Sequence, residues 1–282
     1  MSILEAILMG IVQGIFMFIP VSSTSHLVLT QHFLIERGSS LPPPSSPELI
    51  LFDLVLHVGT LVSIAIIFRK SLFVALRGLW QDIRTSTNWK LLKQKPYVRL
   101  SILSLISLLI TGAIGLIITA FGTSIFDRPS IIALNLIITG LLLWWTDSVK
   151  NNRLGPKDLT ARVAILIGAA QGFALLPGLS RSGLTIAIAL YLGLRRPWAA
   201  TYSFFLAIPT ILTASALQLI LVLREDQPVL VEPWAFLAGF VVAAVVGTGA
   251  LAAVLWILYR ARFRIFSLYV WLFAILVLTG VI

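Results

Sequence analysis

Gly168-Ala-Ala-Gln171-Gly172-Phe-Ala-Leu-Leu-Pro177-Gly178-Leu-Ser180-Arg181-Ser182-Gly183-Leu-Thr185 is an apolar stretch interrupted by a proline, several glycines and a serine-flanked arginine. Its order is repeated earlier in the chain. Gly10-Ile-Val-Gln13-Gly14-Ile-Phe-Met17-Phe-Ile-Pro20-Val-Ser22-Ser23-Thr24-Ser25-His26 has the same Gly-x-x-Gln-Gly, a short apolar run, a proline and a serine-rich turn. Proline and glycine at these positions break a helix. Each stretch therefore predicts two short helices meeting at a polar turn, a re-entrant hairpin that enters and leaves on one side. The hairpins cover residues 2–36 and 160–195. Isolated Gly and Pro are common in membrane helices; two breaks in matching order argue for a built feature.

The rest of the chain supplies the setting. It has 282 residues, 59% hydrophobic and only 11% charged, with a mean hydropathy of +1.01. Soluble domains carry about 25% charged residues, so the solvent for this surface is lipid. Six segments have the roughly 20 apolar residues that a span needs: 49–69, 98–121, 129–149, 197–223, 233–259 and 264–281. The expected fold is an all-α integral membrane protein. Residues 1–149 form one repeat of hairpin plus three spans, and 160–282 form the second. Three spans reverse the direction of the chain, so the repeats have inverted topology. Inverted repeats of broken helices place polar sites near the bilayer midplane.

Charge gives the orientation. The net charge is +10, but the basic residues sit in short loops, which excludes nucleic acid as the natural partner and points to the positive-inside rule. With the 70–98 loop in the cytoplasm, that side holds Arg69, Lys70, Arg77, Arg84, Lys90, Lys93, Lys95, Arg99, Lys150, Arg153, Lys157, Arg162, Arg195, Arg196, Arg260, Arg262 and Arg264. The outside holds Arg37, Arg128 and Arg224, and Arg181 lies within the second hairpin. Both termini are then expected outside. The 70–98 loop's basic residues suit anionic lipid heads. The apolar start at Ile3 lacks a basic n-region and a small-residue cleavage site, so it is not read as a signal peptide. There is no cysteine, hence no disulfide framework, thiolate metal site or cysteine nucleophile.

The polar residues of the hairpins form the candidate site. A charge at bilayer depth costs about 2.5–3.5 kcal/mol on insertion scales, so Arg181 needs a partner, either a carboxylate or an anionic ligand. Gly178, Ser180, Ser182 and Thr185 surround it at the start of a half-helix, where free N–H groups and partial positive charge suit phosphate. The guanidinium adds a planar fork for phosphate oxygens. In the first hairpin Ser22, Ser23 and Thr24 open another half-helix. Ser23 and His26, three apart, would share a face and are the minimum for nucleophilic attack or proton transfer; helix capping by Ser is the structural alternative. Asp53 and His57, four apart, share a face of the first span. Asp53 could pair with Arg181, orient His26 or hold a divalent cation. Gln13 and Gln171 read as interior hydrogen-bonding groups.

At these residues the chain resembles the undecaprenyl pyrophosphate phosphatase family, the bacitracin-resistance membrane phosphatases. Three stretches carry the likeness: Gly10 to His26, Phe52-Asp53-Leu-Val-Leu-His57-Val-Gly59-Thr60, and Pro177 to Thr185, the last being the most specific. The resemblance implies six spans with two re-entrant hairpins in the bacterial inner membrane. It also implies release of phosphate from a polyprenyl pyrophosphate, which regenerates the cell-wall lipid carrier. It makes Ser23 nucleophile or phosphate ligand and His26 its acid/base partner. Arg181, Ser180 and Ser182 become the pyrophosphate clamp, with Gln13 and Asp53 in support. It further implies a divalent cation, Mg²⁺ or Ca²⁺; a homodimer is left open. One position departs: in the family's Gln/Glu-x-x-x-Glu motif, Gln13 matches but Met17 stands where the second carboxylate is expected. A thioether is a poor ligand for hard cations. Two alternatives therefore stand beside the phosphatase: a polyprenyl-phosphate flippase or carrier, and a lipid-pyrophosphate binder with impaired hydrolysis.

Overall fold

A computed structural model describes residues 1–39, 41–43, 46–86, 88–120, 129–150, 152–224 and 232–279. Among these residues the secondary structure is helical apart from one isolated bridge between Leu154 and Leu194. Arg128, assigned above to the outer side, lies outside the described residues, as do the ends of the 98–121 and 264–281 segments.

Both breaks fall where the sequence places them. The first hairpin is α1 (Ile3–Phe16) and α2 (Ser23–Glu36); the second is α8 (Ala161–Phe173) and α9 (Arg181–Tyr191). Arms of 11 to 14 residues rise roughly 16–21 Å, too short for a core about 30 Å thick. Local signals set their ends. Ser2 and Glu5 form a capping box on α1, and the Thr160 hydroxyl accepts from the Val163 N–H at the start of α8.

Among the described residues five helices are long and apolar enough to cross a membrane: α3 (Pro47–Ile67), α6 (Pro96–Ala120), α7 (Pro129–Thr146), α10 (Arg196–Leu223) and α11 (Pro233–Tyr259). The sixth expected span forms α12 (Arg264–Leu278), a helix of 15 residues and thus roughly 22 Å long. The chain is a multi-pass membrane protein. The 70–98 loop is structured as α4 (Arg69–Thr85) and a short α5 (Trp89–Leu92). Asp82 ties α4 to the spans, since its Oδ2 accepts from the free Tyr97 N–H at 2.9 Å and the Val98 N–H at 3.4 Å.

The helices pack reciprocally. The first arm of each hairpin lies against the middle span of the other half, α1 on α11 and α8 on α6, while α3 meets α10 and α7 meets α12. Close approach needs glycine at the crossings. A Cβ on Gly10 would come within 2.8 Å of the Gly239 carbonyl, and one on Gly14 within 2.9 Å of the Gly247 nitrogen. On the other side, a Cβ on Gly168 would overlap the Ser107 carbonyl. The Ser107 hydroxyl donates to the Ala164 carbonyl at 2.7 Å, and Thr111 to the Gly168 carbonyl at 2.9 Å. These bonds give the apolar interface a fixed register, as polar side chains do between membrane helices. Phe18, Tyr202, Phe204, Leu143 and Leu190 fill the space behind it.

The glycine contact at the α8–α6 crossing is directly testable. Gly168→Ala should destabilise the protein by about 1–3 kcal/mol, the usual cost of overpacking. Gly112→Ala on α6 faces open space and should not. Thermal unfolding in detergent compares them; equal melting temperatures would contradict the packing.

Candidate functional site

The second hairpin turns between Phe173 and Arg181, and α7 holds the turn. Gly178 has φ +86, a conformation costly for any residue with a Cβ. A Cβ there would also lie 2.5 Å from the Ile132 carbonyl oxygen. Asn135 Nδ2 donates to the Pro177 carbonyl at 2.7 Å. Thr139 Oγ1 donates to the Gly178 carbonyl at 3.2 Å and accepts from the Ser180 N–H at 3.3 Å. The Ser180 hydroxyl then caps α9 by accepting from the Gly183 N–H at 3.2 Å, with the Ser182 hydroxyl 3.4 Å away. One turn further, Thr185 donates to the Arg181 carbonyl at 2.8 Å and bonds the Ser203 hydroxyl.

The first hairpin meets it tip to tip. Pro20 Cβ is 3.2 Å from where a Cβ on Gly183 would stand, so the two turns touch. Ser22 sits in the left-handed region at φ 69, a strain of order 1–3 kcal/mol of the kind concentrated at functional sites. Its hydroxyl lies 3.1 Å from that of Ser25, and no side chain caps α2. The first N–H groups of α2 are thereby left for another acceptor.

The two half-helix starts face one cavity of about 350 Å³. Ser22, Ser23 and Thr24 line it from one side, Ser180, Arg181 and Ser182 from the other, and His57 from α3. Phe16, Ile19, Leu54, Leu179 and Ile211 form its apolar walls. No described carboxylate pairs with Arg181. Asp53 does not do so; both of its oxygens accept from Gln31 Nε2 at 3.1 Å. Arg181 is thus a cation between two helix N-termini with no counter-charge among the described residues.

The two histidines divide differently from the sequence expectation. His26 does not line the cavity. Its ring stacks on Phe16 at 3.9 Å and Phe273 at 4.5 Å. Nδ1 lies 2.9 Å from the Ser22 carbonyl and Nε2 2.7 Å from the Tyr269 hydroxyl. A carbonyl only accepts, so Nδ1 carries the proton and Nε2 accepts from Tyr269. Both nitrogens are spent on structure, and neither reaches Ser23. His57 lines the cavity, within electrostatic range of Arg181. Its Nδ1 donates to the Asp53 carbonyl at 2.7 Å, so in the neutral ring Nε2 keeps its lone pair. Its four-residue spacing from Asp53 marked it in the sequence, but not which face turned inward.

Gln13, a candidate substrate contact, does not reach the cavity either. Gln13 is fully buried and lies behind the wall, its Nε2 3.6 Å from Met17 Sδ and its Oε1 without a partner. Met17 is the residue on the cavity surface. Gly178 and Thr185 act beneath the site, through the turn and the α9 backbone. These positions bear on the implied cation. Hard divalent ions take about six or more oxygen ligands. Among the described residues no three His, Cys, Asp or Glu side chains converge, Asp53 is held by Gln31, and Met17 offers sulfur. This donor set does not fit a resident Mg²⁺ or Ca²⁺.

The pattern of matches to known proteins is uniform along the chain. The family described as Bacitracin resistance protein BacA matches residues 6–276. This chain belongs to that family. Relatives named undecaprenyl-diphosphatase include one from Alkalilimnicola ehrlichii, 52% identical over 286 residues that cover 100% of this chain and 98% of the relative. One from Halorhodospira halophila is 49% identical over 99% of this chain and 98% of its own length. Another, from Carboxydothermus hydrogenoformans, is 35% identical over 99% and 97%. Membership thus spans both hairpins and the spans between them.

The turn geometry predicts that Gly178→Ala will fail locally. The new methyl meets the Ile132 carbonyl and φ +86 becomes unfavourable, at a cost of about 1–2 kcal/mol from the left-handed backbone alone. Thermal unfolding should register this loss; an unchanged melting temperature would show that α7 does not fix the turn.

Proposed function

We propose that this chain is a membrane phosphatase that cleaves a polyprenyl pyrophosphate, undecaprenyl pyrophosphate in the bacterial inner membrane, to the monophosphate and inorganic phosphate. The observation that carries it is Arg181: a guanidinium without a described carboxylate partner, lining one cavity with serines of two half-helix starts. A pyrophosphate is the ligand for such a site, because it brings the missing negative charge and more oxygens than one guanidinium can satisfy. The names of the relatives support the same substrate. The apolar walls at Phe16, Ile19 and Leu54 suit the first isoprene units.

Phosphoryl transfer asks chiefly for positioning and charge stabilisation. Arg181 and the first N–H groups of α2 and α9 bind the equatorial oxygens. The attacking oxygen is Ser23 Oγ or a water that Ser23 positions. His57 Nε2 takes its proton, since His26 is committed to Tyr269 and the Ser22 carbonyl. The bond from the terminal phosphorus to the bridging oxygen breaks, and the lipid monophosphate leaves with the bonding pair, its charge held by Arg181. Where Ser23 is the attacking group, this step leaves a phosphoseryl ester; once His57 has given its proton to solvent, a water passes a proton to His57 Nε2, attacks the phosphorus and displaces Oγ, which takes that proton back as inorganic phosphate is released. The reciprocal packing of α1 on α11 and α8 on α6 supports two inverted repeats, and the placing of the basic residues supports an orientation with the basic loops in the cytoplasm and both termini outside.

A carrier or binder for the same lipid is favoured by one observation, Met17 on the wall where the family resemblance expects a carboxylate. Phosphate release by the purified chain separates the two readings. The phosphatase releases phosphate from polyprenyl pyrophosphate. Arg181→Ala should lower kcat/KM by at least about a hundred-fold, some 2.7 kcal/mol. His57→Ala should lower kcat more than His26→Ala does in samples of equal folded fraction. Lipid binding without phosphate release by the natural chain would favour the carrier.

A further inference from the structure

A second cavity, larger than the one described above, lies elsewhere among the described residues. It encloses about 1040 Å³ between the start of α4, the start of α6, the 153–158 loop and the start of α10. Along α10, Phe205 is the last residue to line this cavity and Thr210 the first to line the other; five residues separate them, roughly 8 Å of helix. The two are separate sites at different depths.

Its chemistry is that of an anion site with an apolar floor. Lys70, Arg99, Arg153, Lys157 and Arg195 line it, against the single carboxylate of Asp158. Arg99 is spent on structure, donating to the Lys157 carbonyl at 2.8 Å and the Leu159 carbonyl at 2.6 Å. Asp158 is likewise engaged, accepting from the Gly155 N–H at 2.8 Å. No described ion pair occupies the other four cations. A further donor is unsatisfied: the indole nitrogen of Trp198, a lining residue, is buried without a partner. Below these groups Val74, Leu100 and Phe205 present apolar surface.

The neighbouring helix says what fills the cavity. α4 exposes Phe73, Leu76, Trp80 and Ile83 and also carries Arg69, Lys70, Arg77 and Arg84, the composition of a helix lying in a lipid interface. The cavity thus opens where head groups lie, at the end of the bundle that bears the basic loops. Four exposed cations that outnumber the one carboxylate beside them, over an apolar floor, match an anionic phospholipid, with its phosphate among Lys70, Arg153, Lys157 and Arg195 and the upper acyl chain on Leu100 and Phe205. We infer that this cavity is a second, non-catalytic lipid site, selective for anionic phospholipid head groups.

Native mass spectrometry of the full chain, with phosphatidylglycerol or phosphatidylcholine added, tests the assignment. The protein should retain phosphatidylglycerol in preference to phosphatidylcholine. Arg153→Gln/Lys157→Gln/Arg195→Gln should weaken retention at least about ten-fold, whereas Arg260→Gln/Arg262→Gln, outside the cavity, should not. Thr201→Trp, which fills the cavity without changing its charge, should also weaken it; unchanged size-exclusion profiles certify folding. Equal retention of the two lipids would overturn the inference. So would equal losses in both charge variants, undiminished retention in Thr201→Trp, or displacement of the lipid by excess inorganic phosphate, which would make the occupant a free anion.

Discussion

Arg181 is a half-buried cation that meets no counter-charge among the described residues, and the fold is arranged around that condition. An uncompensated charge within a membrane protein is costly. It persists here because the surrounding structure over-determines its place: Ser180 caps the helix that begins at Arg181, Thr139 and Asn135 anchor the turn before it, and Thr185 holds its carbonyl. Each of these groups serves a backbone bond and none neutralises the guanidinium. The energy of the site is therefore left for a ligand.

Two broken helices make this arrangement feasible in lipid. Irregular backbone is tolerated at membrane depth only where it is buried in protein or lines a cavity, and both conditions are met. The turns touch through Pro20 and Gly183, and the arms are locked by backbone-to-backbone approach at Gly10, Gly14 and Gly168. Without those glycines the half-helices would stand further apart, and the serines of α2 would not share a cavity with Arg181. Binding chemistry in the turns and packing in the arms are parts of one design, since the first has no geometry without the second.

Much of this was legible in the chain. The hairpins were read from matched Gly, Gln, Pro and Ser order, and helix breaks leave such marks because backbone sterics are local. Arg181 and its serines were legible because charge in an apolar run is conspicuous. What failed to show was which way side chains point. Ser23 and His26 are three apart, yet His26 turns toward Tyr269 and Phe273, residues some 240 positions later that no local spacing reveals. Gln13 lies inside, as its reading as an interior group expects, but behind the wall that Met17 lines, so it does not reach the cavity. His57 lines the cavity while Asp53, its neighbour by one turn, is taken by Gln31 from α2.

The central claim is that Arg181 takes its counter-charge from the pyrophosphate group. A polyprenyl methylene-diphosphonate, which cannot be hydrolysed at its bridge, isolates binding from catalysis, and titration calorimetry of the natural chain and Arg181→Ala measures the difference. The account predicts an affinity loss of at least about a hundred-fold, near 2.7 kcal/mol, with the uncharged polyprenol bound equally by both proteins. Equal affinity of the two proteins for the diphosphonate would contradict it.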